Sequence, residues 1–166
     1  MAIHFTRLVL MFAILLSGAV RADYWSVATF EPDGDKWLEP SQGRLMRLDL
    51  GEFKTLLSQA PPDGEGAFLK VKLPNHKGQI HEFFVHETNV LPVALAAKFP
   101  GIKTYTGFRS GRRDVTIKIS FDDKGMHALV MSRAETYAID PSHEGNQEFY
   151  ICYPYRSLSR EGFECG

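Results

Sequence analysis

Two cysteines, at positions 152 and 165, are all that this sequence contains. A scaffold held together by many disulfides is therefore excluded. The spacings that carry metal or nucleophile chemistry are also missing: HExxH, GxSxG and GxxxxGK[ST] do not occur. Charge of one sign is not in excess either. Nineteen Lys and Arg stand against 20 Asp and Glu, which leaves no basic footprint for nucleic acid or anionic lipid. There is no internal repeat and no low-complexity tract.

One long apolar run is present, and it lies at the start. Arg7 is followed by "LVLMFAILLSGAV", shorter than the ~20 residues of a membrane span, with small residues at Val20 and Ala22. This is the pattern of an export signal over residues 1–22, cleaved to leave a chain that begins at Asp23. Its removal takes Arg7 and Arg21 and moves the formal charge from −1 to −3. Export places the protein outside the cell or in a periplasm, with no stable membrane span after cleavage, and makes a disulfide chemically possible. The remainder is long enough for one domain with its own core.

Residues 31–44, "EPDGDKWLEPSQGR", are rich in Pro, Gly and charge, and residues 23–44 read as an irregular N-terminal segment. "LDLGEFKTLLSQAPP" follows as a short helix, capped by Asp49 and stopped by Pro61-Pro62. The period then becomes two. "AFLKVKL" and "QIHEFFVHET" form a hairpin across "PNHKG", with Gly78 in the turn. "LPVALAAKF" is a second short helix with Asn89 as its N-cap. "KTYTGF", "DVTIKISF", "MHALVMS", "TYAID" and "EFYICYPY" read as further strands, with Asp122 to Gly125 as a turn between the second and third. These elements predict a mostly β, α+β domain over residues 45–156: an antiparallel, sandwich-like sheet with two short helices. Leu69, Val71, Leu73, Phe84, Leu95, Phe99, Ile117, Ile119, Leu129 and Ile139 occupy the apolar phases and are expected in the core.

The side chains capable of chemistry are scattered. His81 and His86 share a strand but differ by an odd number, so they point to opposite faces. The histidines read as exposed or hairpin-edge residues, and no metal site is expected within this chain. Ser110 lies in "GFRSGRRD" without a histidine or acid arranged around it. The three arginines there read as a solvated hairpin loop, with a site for an anion or acidic partner as the alternative. Cys152 alternates with Ile151, Tyr153 and Tyr155 and reads as a small buried hydrophobe. Cys165 follows across the polar stretch "RSLSREGFE", and a Cys152–Cys165 bridge would add ~3 kcal/mol.

The order of segments resembles a known family. "LLSQAP", "VKLPNHKGQIHEFFVHET", "LPVALAAKFPGIKTYTG", "FDDKGMHALVMS", "ETYAIDP" and "FYICYPY" are similar to the N-terminal pro-region of secreted bacterial reprolysin-type (adamalysin-type) zinc metalloproteases, over about residues 45–156. The resemblance implies a catalytic domain after Gly166, with zinc held there and no cofactor or catalytic residue in residues 1–166. The partner would be that catalytic domain, in cis. Related pro-regions carry a Pro-Lys-x-Cys-Gly-Val switch whose thiolate fills the open position on zinc. Cys165-Gly166 matches its Cys-Gly pair, but Phe163-Glu164 replaces Pro-Lys.

The implied function is to assist folding of the protease and hold it latent. Residues 157–166 would be a loosely packed polar tail delivering Cys165, and cleavage after Arg156 or Arg160 would activate. The competing reading is a free-standing exported binding module stapled by Cys152–Cys165.

Overall fold

The computed structural model of the protein describes residues 24–36, 38–99 and 101–158. The expected export signal, Arg160 and Cys165 lie outside these residues. In chain order the elements are β1 (Trp25–Val27), β2 (Arg44–Leu48), α1 (Leu50–Leu57), β3 (Leu69–Pro74), β4 (Ile80–Glu87), α2 (Val93–Lys98), β5 (Thr104–Arg109), β6 (Arg112–Phe121), β7 (Met126–Met131), β8 (Thr136–Pro141), β9 (Phe149–Pro154) and a 3₁₀ turn, η1 (Tyr155–Ser157). All nine strands join one antiparallel sheet in the order β1-β2-β9-β8-β7-β6-β5-β4-β3, curled into a nearly closed barrel. The expected mostly β, antiparallel architecture is present, with one curled sheet in place of two stacked layers.

Local chemistry sets the turns. The Asp49 carboxylate accepts the Glu52 N–H at 2.9 Å and caps α1. The Asn75 side-chain oxygen accepts the N–H groups of Lys77 and Gln79, both at 2.9 Å, and Gly78 takes φ +80° to close the β3–β4 hairpin. Asp122 does the same work between β6 and β7 through Lys124 and Gly125. Gly107 permits a closer approach than any side chain would. A Cβ there would lie 1.9 Å from the Phe84 carbonyl oxygen, so β4 and β5 could not keep their register with alanine at this position.

Alternate side chains enter the barrel and fill it. Val71, Leu73, Ile117, Ile119 and Ile139 are buried as expected. On β4 the inward pair is Phe83 and Val85, which leaves Phe84 half-buried on the outer face; "HEFFVH" offers two adjacent phenylalanines, and register decides between them. Leu129 faces outward beside Lys118, and Leu69 is half-buried at the start of its strand. Leu95 and Phe99, core positions by their apolar phase, are instead 42% and 52% exposed. Their helix stands on the β4–β5 connection instead of packing into the barrel. It starts after Pro92, with no side-chain cap from Asn89.

The N-terminal segment, expected to be irregular, contributes two core residues and a strand. Tyr24 and Trp25 are buried, and β1 pairs with β2, which in turn pairs with β9. β1 and β3 are the two edges of the sheet, and the β2–α1–β3 connection spans the gap between them. Phe53 and Leu57 of α1 are wholly buried, with the Phe53 ring 4.9 Å from Tyr24 and 6.4 Å from Phe121. The Tyr24 hydroxyl accepts the backbone N–H of Lys72 at 2.6 Å, linking one edge to the other.

Truncating this plug is expected to cost far more than loosening the seam. Phe53→Ala should destabilise by roughly 3–5 kcal/mol. Tyr24→Phe should cost about 1 kcal/mol, because the freed edge N–H can turn to water. Urea unfolding of both variants checks the ranking, and equal costs would contradict it.

Candidate functional site

A polar cluster with a titratable centre lies on the outer face of β6 to β9. Cross-strand pairing sets Ser120 of β6 opposite His127 of β7. His127 donates through Nδ1 to Asp140 Oδ1 at 2.6 Å, and the Tyr153 hydroxyl donates to Asp140 Oδ2 at 2.7 Å. On its other side, His127 Nε2 lies 3.3 Å from Asp122 Oδ1 in the β6–β7 turn. The ring is thus held between two carboxylates contributed by different elements. Lys118, Leu129 and Tyr155 border a shallow groove of about 220 Å³ over the cluster.

Electrostatics follow from these contacts. The hydrogen bond to Asp140 leads in raising the His127 pKa, and partial burial opposes it. Burial by itself would raise the Asp122 carboxyl, but the N–H groups of Lys124 and Gly125 together with the His127 ring hold it below its ordinary value. Burial, with Asp140 adding to it, pushes the Tyr153 phenol up, so this group stays a neutral donor.

Ser120, His127 and Asp140 supply the residue types of a nucleophile–base–acid set. The geometry does not assemble one. No bond joins the Ser120 hydroxyl to the ring, and Asp122 faces the nitrogen that would take its proton. The arrangement instead clamps the β6–β7 turn, β8 and β9 around one proton.

The residues singled out from sequence are dispersed. Cys152 is a free thiol, wholly buried and facing inward opposite Ile139. Burial, reinforced by Asp140, pushes its pKa up, so it is an inert core group and not a reactive thiolate. Arg156 is exposed on η1. The chain is anchored one residue further than expected for a loose tail: Ser157 is buried, donates through its hydroxyl to the Gln42 and Pro154 carbonyls, and accepts the Ser41 N–H. Arg160 and Cys165 lie beyond the described residues. His81 and His86 do face opposite ways, His81 toward Arg109 at 2.9 Å and His86 toward Asp63 at 3.1 Å. His143 departs from the expected surface position; it is buried, 2.8 Å from the Ser142 hydroxyl. Among the described residues no three His, Cys, Asp or Glu side chains are grouped to hold a metal ion.

The clamp escaped sequence reading because its members come from three strands and a turn. Only the five-residue step from Asp122 to His127 around the hairpin hinted at it. Comparison of the chain with protein-family models, curated proteins and solved structures finds no match.

A raised histidine pKa has a defined sign for stability. The clamp's contribution is fully present below the unfolded value of about 6.5 and is lost as pH rises through the higher folded value. His127→Gln should therefore cost more at about pH 5.5, on the order of 1 kcal/mol, than at about pH 8.5. Thermal unfolding of both proteins at the two pH values measures this; a cost that grows with pH would contradict the clamp.

Proposed function

We propose that this chain is the signal peptide and pro-region of a secreted zinc metalloprotease, assisting the folding of the catalytic domain and holding it latent, with Cys165 as the thiolate that meets the zinc. The observation that supports this reading best is the arm between β4 and β5. Val90, Leu95, Phe99 and Ile102 are 60%, 42%, 52% and 40% exposed within thirteen residues, on a domain whose barrel is filled by its own side chains. Exposed apolar groups carried on one short arm suit a surface that another protein covers. A filled barrel also leaves the work to its outside, which suits a docking domain better than a carrier of small apolar ligands.

The chemistry of the thiol fits the same reading. Zinc binds thiolate at ~2.3 Å and stabilises its deprotonated form, displacing the water that would attack a peptide bond. The zinc would belong to the catalytic domain, not to these residues. Cys152 is poorly placed for that task, because its sulfur is sealed inside the barrel. The stapled-module alternative meets the same obstacle, since Cys165 would have to reach a thiol that faces the core. Arg156 is exposed just after the last strand, where a protease that separates pro-region from catalytic domain would find it.

In the secreted precursor, Cys165→Ala is expected to raise proteolytic activity before any cleavage of the chain. Cys152→Ala should leave latency intact and cost about 1 kcal/mol of stability. Peptidase assays on uncleaved precursor, with thiol alkylation followed by mass spectrometry, separate the possibilities. Unchanged latency on loss of Cys165 overturns the thiolate role, and a fully occupied Cys152–Cys165 bridge favours the binding module.

A further inference from the structure

The arginine-rich β5–β6 hairpin joins a second surface that neither the clamp nor the arm explains. On the outer face of β3 to β6, Phe108 lies between two other rings, 5.1 Å from Phe68 and 5.8 Å from Phe84. Phe68 is 43% exposed. The Arg113 guanidinium lies 4.7 Å above the Phe108 ring, and the Lys70 ammonium 5.8 Å from Phe84.

The neighbouring charges differ in how they are balanced. Arg112 is held by both carboxylate oxygens of Asp114, and Lys70 sits 3.4 Å from Glu82. Arg113 makes its contact with a ring and with no carboxylate among the described residues. The patch therefore carries an unbalanced guanidinium beside partly exposed aromatic rings, on a chain of slightly acidic net charge. Aromatic and arginine side chains of this kind are the ones that dominate binding energy at protein interfaces.

We infer that this face is a docking surface for an acidic protein segment carrying an apolar side chain and, resting on the pro-region reading, that the segment belongs to the catalytic domain. Charge complementarity chooses the partner's sign. Single-stranded nucleic acid fits less well. The Phe68 and Phe108 rings meet at 76°, edge to face, and Arg113 already covers the Phe108 face on which a base would stack. Cross-strand pairing also carries the Phe84–Phe108 row through Thr116 and Met131 to Thr136, one residue from the Tyr137–Pro154 pair where β9 ends. The chain thus leaves the sheet at the level of this row.

Site-specific photo-crosslinking in the full precursor tests the inference. p-Benzoylphenylalanine replaces Phe108 in one protein and Ser26, exposed on the opposite edge strand, in another. Crosslinks from position 108 to an acidic stretch of the catalytic domain are expected, with little from position 26. Arg113→Glu should lower the yield at 108 at least several-fold without moving the unfolding midpoint. Crosslinks from 26 and none from 108, or crosslinks to a basic stretch, overturn this surface while the response of latency to Cys165→Ala still upholds the pro-region. A precursor without a catalytic domain overturns both. Tighter binding of the isolated chain to a single-stranded oligothymidine than to an acidic, phenylalanine-containing peptide overturns the choice of partner.

Discussion

Everything in this fold depends on closing the gap between β1 and β3. The strands from β3 to β9 run as a simple meander, and such a sheet has two open edges. Adding β2 and β1 beyond β9 moves one edge around the barrel toward the other. The β2–α1–β3 connection then spans the remaining distance, and α1 lowers Phe53 and Leu57 into the interior. A hydrogen bond from Lys72 N–H to the Tyr24 hydroxyl stitches the seam. Burial raises the Tyr24 pKa to about 12, so the hydroxyl remains neutral wherever the domain is folded. The helix contributes most of the energy and the hydroxyl fixes the alignment.

A barrel closed in this way is full, and that moves all recognition to its outside. Tyr150, Met126, Phe83 and Ile139 occupy the space in which a wider barrel would hold a ligand. Outer-face residues then divide by burial. Asp140 is sufficiently covered for its bonds to His127 and Tyr153 to count, so this part of the surface is rigid. Phe68 and Phe99 keep about half of their area in water. For a ring of ~200 Å², that leaves roughly 2–2.5 kcal/mol of apolar burial unused by folding.

What could be read from the sequence was what neighbours in the chain decide. The Asp49 cap, the Asn75 turn and the "DDKG" hairpin each draw on residues within a few positions, and each formed. The inward phase of β6 is equally local, because Val115, Ile117 and Ile119 alternate with polar residues. β1 and β2 were invisible for the opposite reason. Three residues of β1 are a strand only because β2 is beside them, and β2 is held by β9, about a hundred positions later. The adjacent phenylalanines of β4 show the same limit, since pattern permits either to enter the core and register with β5 selects Phe83. α2 shows it in reverse: its apolar spacing suited a core helix, but both of its neighbouring strands pair directly and leave it outside.

The surfaces follow this rule more strictly than the core. His127, Asp140 and Tyr153 are spread over 27 positions, and nothing in their spacing announces a clamp; register alone brings them together. Arg113 was visible as part of a basic run, yet its neighbours separate its fate from theirs. Arg112 has Asp114 two residues away and is neutralised locally, Arg109 turns toward His81, and Arg113 is left over a ring. A charge already satisfied at home loses as much as it gains on meeting a partner, because the old bond and the water around it must both be given up. A guanidinium resting on an aromatic face forfeits little and keeps its donors directed outward. Recognition by this hairpin therefore falls to one arginine out of three, and the deciding factor is that no carboxylate among the described residues pairs with it, rather than the density of positive charge.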